Sequence, residues 1–146
     1  MKTLFKDIKI SSKPTLIKDS KLFSYIDSDF KNLTDKEKVW NKETTLEVLE
    51  MEKDGTFKDF FTDPDKMVMT QGEILSFVQN HKDKLRTDGY ATFFLFKVED
   101  KFFVALVRLY SGGGLEVYVR PFSDGDVWLT ESLHRVVVPQ LTPATA

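Results

Sequence analysis

The chain contains no cysteine, and His81 and His134 are its only histidines among 146 residues. The absence of cysteine excludes disulfide scaffolds, thiolate zinc sites, iron–sulfur clusters and cysteine nucleophiles. Two histidines are too few for a site in which several histidines bind one metal ion. The sequence also carries no nucleotide-binding fingerprint. We therefore expect no metal site and no cofactor.

Long apolar runs are absent as well. The longest, at 91–96 and 102–107, contain about six residues each, whereas a membrane-spanning helix needs about 20. The first seven residues contain no apolar stretch of the kind found in a secretory signal. These features predict a cytoplasmic protein with no membrane segment.

What the chain does contain is the composition of a folded domain. Hydrophobic residues make up 41% of it, aromatic residues 13% and charged residues 30%. Such a composition excludes global disorder and low-complexity classes. A chain of this length fits one domain, which we assign to 1–146. Residues 1–20 are a candidate lysine-rich arm, and 141–146 are a candidate flexible tail.

Charge is distributed unevenly along the chain. Six lysines and two aspartates give residues 1–21 a local charge of +4, while seven lysines and thirteen acids give residues 22–73 a charge of −6. The N-terminal lysines are therefore candidates for binding nucleic acid. The alternative is that they lie against the acidic segment of the same chain. The lysine-rich arm also lacks the arginine–aromatic pattern of single-strand binders.

The N-terminal half contains a mixture of short elements. Alternating apolar residues predict a strand at 3–10, and the spacing of apolar residues at 21–33 predicts a helix. Residues 34–37 match a capping box that would begin a short helix. Residues 44–51 suit either a strand or a helix, and their threonines and valine favour a strand. Asp63-Pro64 predicts the start of a short helix.

A helix at about 71–86 is the clearest element. Thr70 and Glu73 form a capping box at its start, and Gly89 follows its end. Its apolar side chains, together with His81, recur at helical spacing: Ile74, Leu75, Phe77, Val78, His81 and Leu85.

Three strand-like segments follow, at 90–98, 102–110 and 115–120, joined by short links that are typical of hairpins. In the first two, both alternating sets of residues are mostly apolar. Because strands that are apolar on both sides are usually covered on both faces, we expect a layer on each side of this sheet. A further strand is predicted at 135–138, at a sheet edge because Pro139 cannot donate to a ladder.

These elements predict an α+β fold. An antiparallel β-meander at about 90–120, with the C-terminal strand near 135–138, packs on the helix at 71–86. The mixed N-terminal half, or a partner molecule, covers the other face. The thirteen phenylalanines predict a phenylalanine-rich core, while Trp40, Tyr110, Tyr118 and Trp128 are candidates for an exposed groove or dimer face.

No motif assigns a chemistry. The glycine-bearing loop 111–114 leads into a strand rather than a helix, so it is interpreted as a hairpin link and not a phosphate cradle. The Asp-x-Asp pairs at 63–65 and 124–126 lack the other ligands of a calcium loop. His81 lies on the apolar side of its helix and is interpreted as a packed residue.

The leading hypothesis is a small non-enzymatic binding or assembly domain, with a protein partner or a second copy of the chain. The first alternative is a small enzyme or ligand-binding domain with a pocket near the sheet end, in which His134 is the candidate acid or base and an arginine holds an anion. Its predicted lining consists of Arg108, Tyr110, Trp128, His134 and Arg135. The second alternative is nucleic-acid binding through the N-terminal lysines, although we do not expect nucleic acid to be the partner.

Overall fold

The computed structural model of the protein describes residues 1–34 and 42–141. Seven strands within these ranges form one sheet. The strands are β1 (Lys2–Ser12), β2 (Tyr25–Ile26), β3 (Lys42–Glu50), β4 (Ala91–Val98), β5 (Lys101–Leu109), β6 (Leu115–Pro121) and β7 (Arg135–Pro139). The α-helices of the described ranges are α1 (Phe57–Phe60), α2 (Pro64–Met67) and α3 (Gln71–Asn80). None of these helices is long and apolar enough to cross a membrane.

The sheet is mixed, with the order β1-β3-β7-β4-β5-β6-β2. The predicted meander is confirmed, because β4, β5 and β6 pair antiparallel in sequence. The strand predicted at 44–51 is β3, which pairs antiparallel with both β1 and β7. Parallel pairing occurs at β4 with β7 and at β2 with β6.

The final strand is not at an edge, so that part of the prediction is wrong. β7 lies between β3 and β4 in the interior of the sheet. Pro139 is tolerated there because it is the last residue of the strand, beyond the segment from Arg135 to Val137 that pairs with β4. Pro139 remains paired with Leu46 on β3, and the next residue continues this pairing, because the Gln140 N–H donates to the Thr45 carbonyl at 2.9 Å.

Both faces of the sheet are covered, as its two apolar sets of residues predict. The α3 face is covered by α3 and by residues 17–30, and the α1 face by α1, α2 and residues 122–128. On β4, Phe94 and Phe96 point to the α3 face, while Phe93 and Leu95 point to the α1 face. Nine of the thirteen phenylalanines are buried, which confirms the phenylalanine-rich core.

The helix predicted at 21–33 is wrong. This segment forms β2 and a 3₁₀ turn at Ser28–Asn32, because the edge of β6 provides hydrogen-bond partners for the backbone groups of the segment. The Ser24 and Asp27 N–H groups donate to the Leu115 and Val117 carbonyls, at 2.8 and 2.9 Å. Satisfying this sheet edge replaces the hydrogen bonds that a helix would make.

The main helix begins where the capping box predicts and ends earlier than predicted. The Thr70 hydroxyl accepts from the Glu73 N–H at 3.1 Å, and the Glu73 carboxylate accepts from the Thr70 N–H at 2.9 Å. The α-helix stops at Asn80, and a 3₁₀ turn at Lys82–Lys84 continues toward Leu85. Asparagine and histidine at 80 and 81 are weak helix formers, which favours this early end.

The N-terminus of α3 is held closely against the preceding chain. Gln71 is buried; its amide accepts from the Ile17 N–H at 3.0 Å and donates to the Leu33 carbonyl at 2.9 Å. A Cβ at Gly72 would lie 2.0 Å from the Lys13 carbonyl oxygen, so only glycine permits this approach. The lysine-rich N-terminal segment is thus partly strand β1 and partly cover for α3. The capping box predicted at 34–37 falls largely outside the described residues, as do Trp40 and 142–146.

Candidate functional site

All four tyrosines of the chain lie at the same end of the sheet. Tyr25, Tyr90 and Tyr110 are 46%, 40% and 41% exposed, which makes them the most exposed aromatic residues of the described chain, followed by Phe5 at 37%. The rings of Tyr25 and Tyr118 are 5.3 Å apart, on strands that pair directly. We call this group the tyrosine face; it consists of Tyr25, Tyr90, Tyr110 and Tyr118 together with Arg86, Arg108 and Glu116.

Glu116 joins two of these tyrosines. Its Oε1 accepts from the Tyr118 hydroxyl at 2.8 Å and from the Tyr110 hydroxyl at 3.0 Å. The hydrogen bond to this carboxylate raises the pKa of Tyr118 to about 12 and also raises the pKa of Tyr110. Both hydroxyls therefore remain protonated at neutral pH and keep their rings in fixed positions.

A tight turn before β4 supports the same surface. Gly89 has a φ of +81°, and a Cβ there would lie 2.8 Å from the Tyr110 ring. The Gly89 N–H donates to the Leu109 carbonyl at 3.1 Å, and the Gly89 carbonyl accepts from Arg108 at 2.7 Å. Glycine is needed here both for the left-handed backbone and for the ring that covers it.

Two arginines flank this turn without a carboxylate partner. Arg86 donates from Nε to the Ser132 carbonyl at 3.1 Å, and its guanidinium lies 4.7 Å from the Tyr90 ring centre. Arg108 donates to Gly89 and lies 5.8 Å from the Tyr118 ring centre. Among the described residues, no carboxylate lies within ion-pair distance of either guanidinium. Both side chains are half-buried and contact carbonyl oxygens and aromatic rings, and Glu116 lies opposite Arg108 on the neighbouring strand.

His134 lies behind the tyrosine face and is buried. Its Nδ1 is 3.0 Å from the Ala91 nitrogen, and because a backbone N–H can only donate, this nitrogen accepts in the neutral ring. Burial lowers the pKa of His134, and the charges of Arg108 and Arg86 lower it further, against an opposing contribution from the Ala91 carbonyl. The imidazole is therefore neutral at neutral pH.

Trp128 completes an aromatic cluster around His134. Its ring centre lies 5.1 Å from that of His134 and 4.9 Å from that of Phe93. The indole Nε1 is buried and has no hydrogen-bond partner among the described residues. Backbone bonds between Trp128 and Gly55, at 2.7 and 3.1 Å, fix this segment against the start of α1.

The structure brings four of the five predicted site residues to the α1 face and separates the fifth. Arg108 and Tyr110 lie on that face beside Glu116, while His134 and Trp128 pack under it. Arg135 alternates to the α3 face, where it donates to the Lys84 carbonyl at 2.8 Å and lies 5.7 Å from the Phe5 ring centre. A pocket built from all five side chains would therefore have to span the sheet.

Open clefts occur elsewhere on the surface. One of about 450 Å³ lies between residues 14–22 and α3, where Leu75 and Gln79 line it. Another of about 500 Å³ lies beside the start of α1 and is lined by Met1, residues 52–54, Asp59 and Phe60. Neither includes any of the five predicted site residues.

The remaining sequence motifs have structural roles. Asp124 and Asp126 accept from Arg120 at 3.3 and 2.6 Å. Asp63 precedes α2, and the glycine-bearing loop 111–114 links β5 to β6. Within 1–34 and 42–141, no group of three or more acidic, histidine or cysteine side chains is placed to hold a metal ion.

Five members of the tyrosine face were absent from the predicted site: Tyr25, Tyr90, Tyr118, Arg86 and Glu116. Two signals in the sequence point to the tyrosines and to the arginine. The chain has thirteen phenylalanines but only four tyrosines, and a phenolic hydroxyl favours a position that reaches water. All four arginines also lie after residue 85, although lysines occur throughout most of the chain.

Comparison with known proteins adds no relationship. No protein-family model matches the chain, no curated protein matches it in sequence, and no solved structure matches its fold.

Proposed function

We propose that this protein is a non-enzymatic binding domain that recognises another protein through the tyrosine face. The observation that carries the proposal is that all four tyrosines and two of the four arginines converge at one end of the sheet. Tyrosine and arginine, together with tryptophan, are the residue types that contribute most to binding energy at protein interfaces.

Several side chains of the tyrosine face are held by contacts within the protein, which favours binding. Glu116 holds two hydroxyls, and Arg86 and Arg108 each pair with a tyrosine ring. A partner would therefore immobilise few additional rotamers, and less of the interaction energy would be lost to side-chain ordering.

The surroundings of His134 favour binding over catalysis. Its Nδ1 is occupied by the Ala91 N–H, and three aromatic rings pack around it within 6 Å: those of Tyr90, Phe93 and Trp128. A general acid or base must reach the proton that it transfers. In this arrangement the imidazole supports the turn before β4 and the rings above it.

The test is a selection of phage-displayed random peptides on the purified protein, followed by affinity measurements on two variants. Tyr25→Ser with Tyr110→Ser removes two exposed rings and leaves the buried core intact. Leu141→Ser is the control, because Leu141 is 51% exposed and follows the far end of β7. We expect selected peptides to bind the tyrosine variant at least about tenfold more weakly and the control unchanged.

Two results would contradict the proposal. One is the absence of any selected peptide; the other is a set of peptides that bind the tyrosine variant as well as the unmodified chain. Circular dichroism and thermal unfolding of each variant establish that the fold is retained. Light scattering of the unmodified chain identifies a second copy as the partner if it forms a dimer that the tyrosine variant abolishes.

A further inference from the structure

We infer that the partner of the tyrosine face is an acidic protein segment, with a carboxylate that binds at Arg86 and Arg108. This inference rests on the proposed function and adds the chemistry of the partner. The inference comes from a difference in ion pairing: Arg120, at the other end of the same sheet face, has carboxylate partners, whereas Arg86 and Arg108 have none among the described residues.

Arg120 provides the comparison. It lies on β6 in the same alternation as Glu116, and two aspartates already bind its guanidinium, the shorter contact being 2.6 Å. Arg86 and Arg108 have no such partner among the described residues, and each makes one hydrogen bond to a backbone carbonyl. Because a guanidinium has five N–H donors, most of the donors on both side chains are left for a ligand.

Partial burial strengthens the attraction of these two charges for an anion. Both arginines are half-buried, and they contact adjacent residues of one turn: Arg108 donates to the Gly89 carbonyl, and the Arg86 guanidinium lies 4.7 Å from the Tyr90 ring centre. Removal from water increases the Coulomb energy between a guanidinium and a carboxylate and favours bidentate pairing.

A protein carboxylate fits this surface better than a nucleic acid. Glu116 lies at the centre of the tyrosine face, where it would repel a continuous phosphate backbone that passes between the tyrosines. The whole chain carries a net charge of −2, which does not favour the approach of a polyanion. An isolated acidic side chain, flanked by apolar residues, can contact the arginines and leave Glu116 with its hydroxyl partners.

The test uses two pools of short synthetic peptides that differ at one residue type. One pool has a single glutamate at a fixed central position with random uncharged residues on either side, and the other has glutamine at the same position. Fluorescence anisotropy measures the binding of each pool to the unmodified protein, at low and at physiological ionic strength. We expect the glutamate pool to bind about tenfold more tightly, with the difference reduced by salt.

Matched arginine variants locate the effect. Arg86→Gln and Arg108→Gln should each remove most of the preference for glutamate, whereas Arg120→Gln should preserve it. Arg108→Lys keeps the charge and loses the fork of donors, so it should retain part of the preference. If Arg108→Gln fails to fold, the preference measured for Arg108→Lys tests the role of this position instead.

The outcomes separate this inference from the proposed function. Equal binding of both pools that still depends on Tyr25 and Tyr110 overturns the acidic partner and leaves the tyrosine face as a binding surface. If neither pool binds, or if binding is unchanged in the tyrosine variant, both the acidic partner and the proposed function are overturned. A labelled oligothymidine that binds more tightly than the glutamate pool, and depends on the same arginines, overturns the inference in favour of nucleic acid.

Discussion

Whether an aromatic ring of this protein is buried or exposed depends largely on whether it carries a phenolic hydroxyl group. Nine phenylalanines are buried, whereas three of the four tyrosines are at least 40% exposed. A buried phenol requires a hydrogen-bond partner, while at the surface water or a carboxylate such as Glu116 satisfies it. The sheet end can therefore present large rings without leaving buried polar groups unpaired.

His134 is expected to make the stability of the fold depend on pH. Its pKa is lowered in the folded protein from an ordinary value of 6.5, so the unfolded chain binds the proton more readily. Stability from this group is complete above about pH 6.5 and is lost as the pH falls from there toward the lowered folded-state pKa. We expect the free energy of unfolding, measured with urea, to decrease over this range.

Two variants isolate the contribution of His134. The pKa of His81 is also lowered by burial, so His81→Gln removes a second source of the same pH dependence. In that background, His134→Asn keeps a hydrogen-bond acceptor near the Ala91 N–H but removes the titration. A slope between about pH 6.5 and 5 that survives His134→Asn would contradict the assignment.

At the scale of single elements, the two capping boxes differ in what lies behind them. Glu73 is buried, and beyond its bond to the Thr70 N–H it accepts from the Thr44 hydroxyl on β3. Asp59 closes the box of α1 in an exposed position. The cap of α3 is therefore also a tertiary contact with the sheet.

Thr70→Ala should lower the free energy of unfolding by about 1 kcal/mol or more, because it removes the cap and loosens the buried Glu73. Thr56→Ala is the comparison, since the Thr56 hydroxyl at the start of the four-residue helix α1 donates to the exposed Asp59 carboxylate at 3.1 Å. We expect a smaller loss for Thr56→Ala in urea unfolding. Equal losses would mean that the contact between Glu73 and β3 adds no stability.

For the whole molecule, the position of β7 determines how the sheet closes. This strand is the last in the chain, yet it joins β3 to β4 in the interior of the sheet. Val136 and Val138 pack on the α1 face and Val137 on the α3 face, all fully buried. Both halves of the sheet and both cores are therefore incomplete until the C-terminal segment has been added.

A chain that ends at Leu129 should consequently lack a stable fold. Loss of β7 divides the sheet between β3 and β4, leaves each of these strands with one unpaired edge, and uncovers apolar residues on both faces. We expect thermal unfolding followed by near-ultraviolet circular dichroism to give no cooperative transition. A chain that ends at Leu141 keeps all seven described strands and should unfold cooperatively. Cooperative unfolding of the shorter chain would show that the two halves are stable without β7.

Local interactions made several elements predictable from the amino-acid order. The capping box at Thr70 and Glu73 predicts where α3 begins, and the short links after β4 and β5 predict the meander. These features depend on residues a few positions apart, so the interactions that stabilise them are formed by neighbours in the sequence. The apolar residues on both sides of β4 likewise predict two covering layers, one of which the sequence assigns to the helix at 71–86.

Long-range pairing settled the rest. The segment at 21–33 has helical spacing, yet it pairs with β6 because that edge would otherwise carry unpaired backbone groups. β7 lies between β3 and β4 because both leave a free edge beside a pair of apolar cores. The tyrosines at 25, 90, 110 and 118 meet for the same reason: strand order and register, which depend on contacts between distant segments, place them at one end of the sheet.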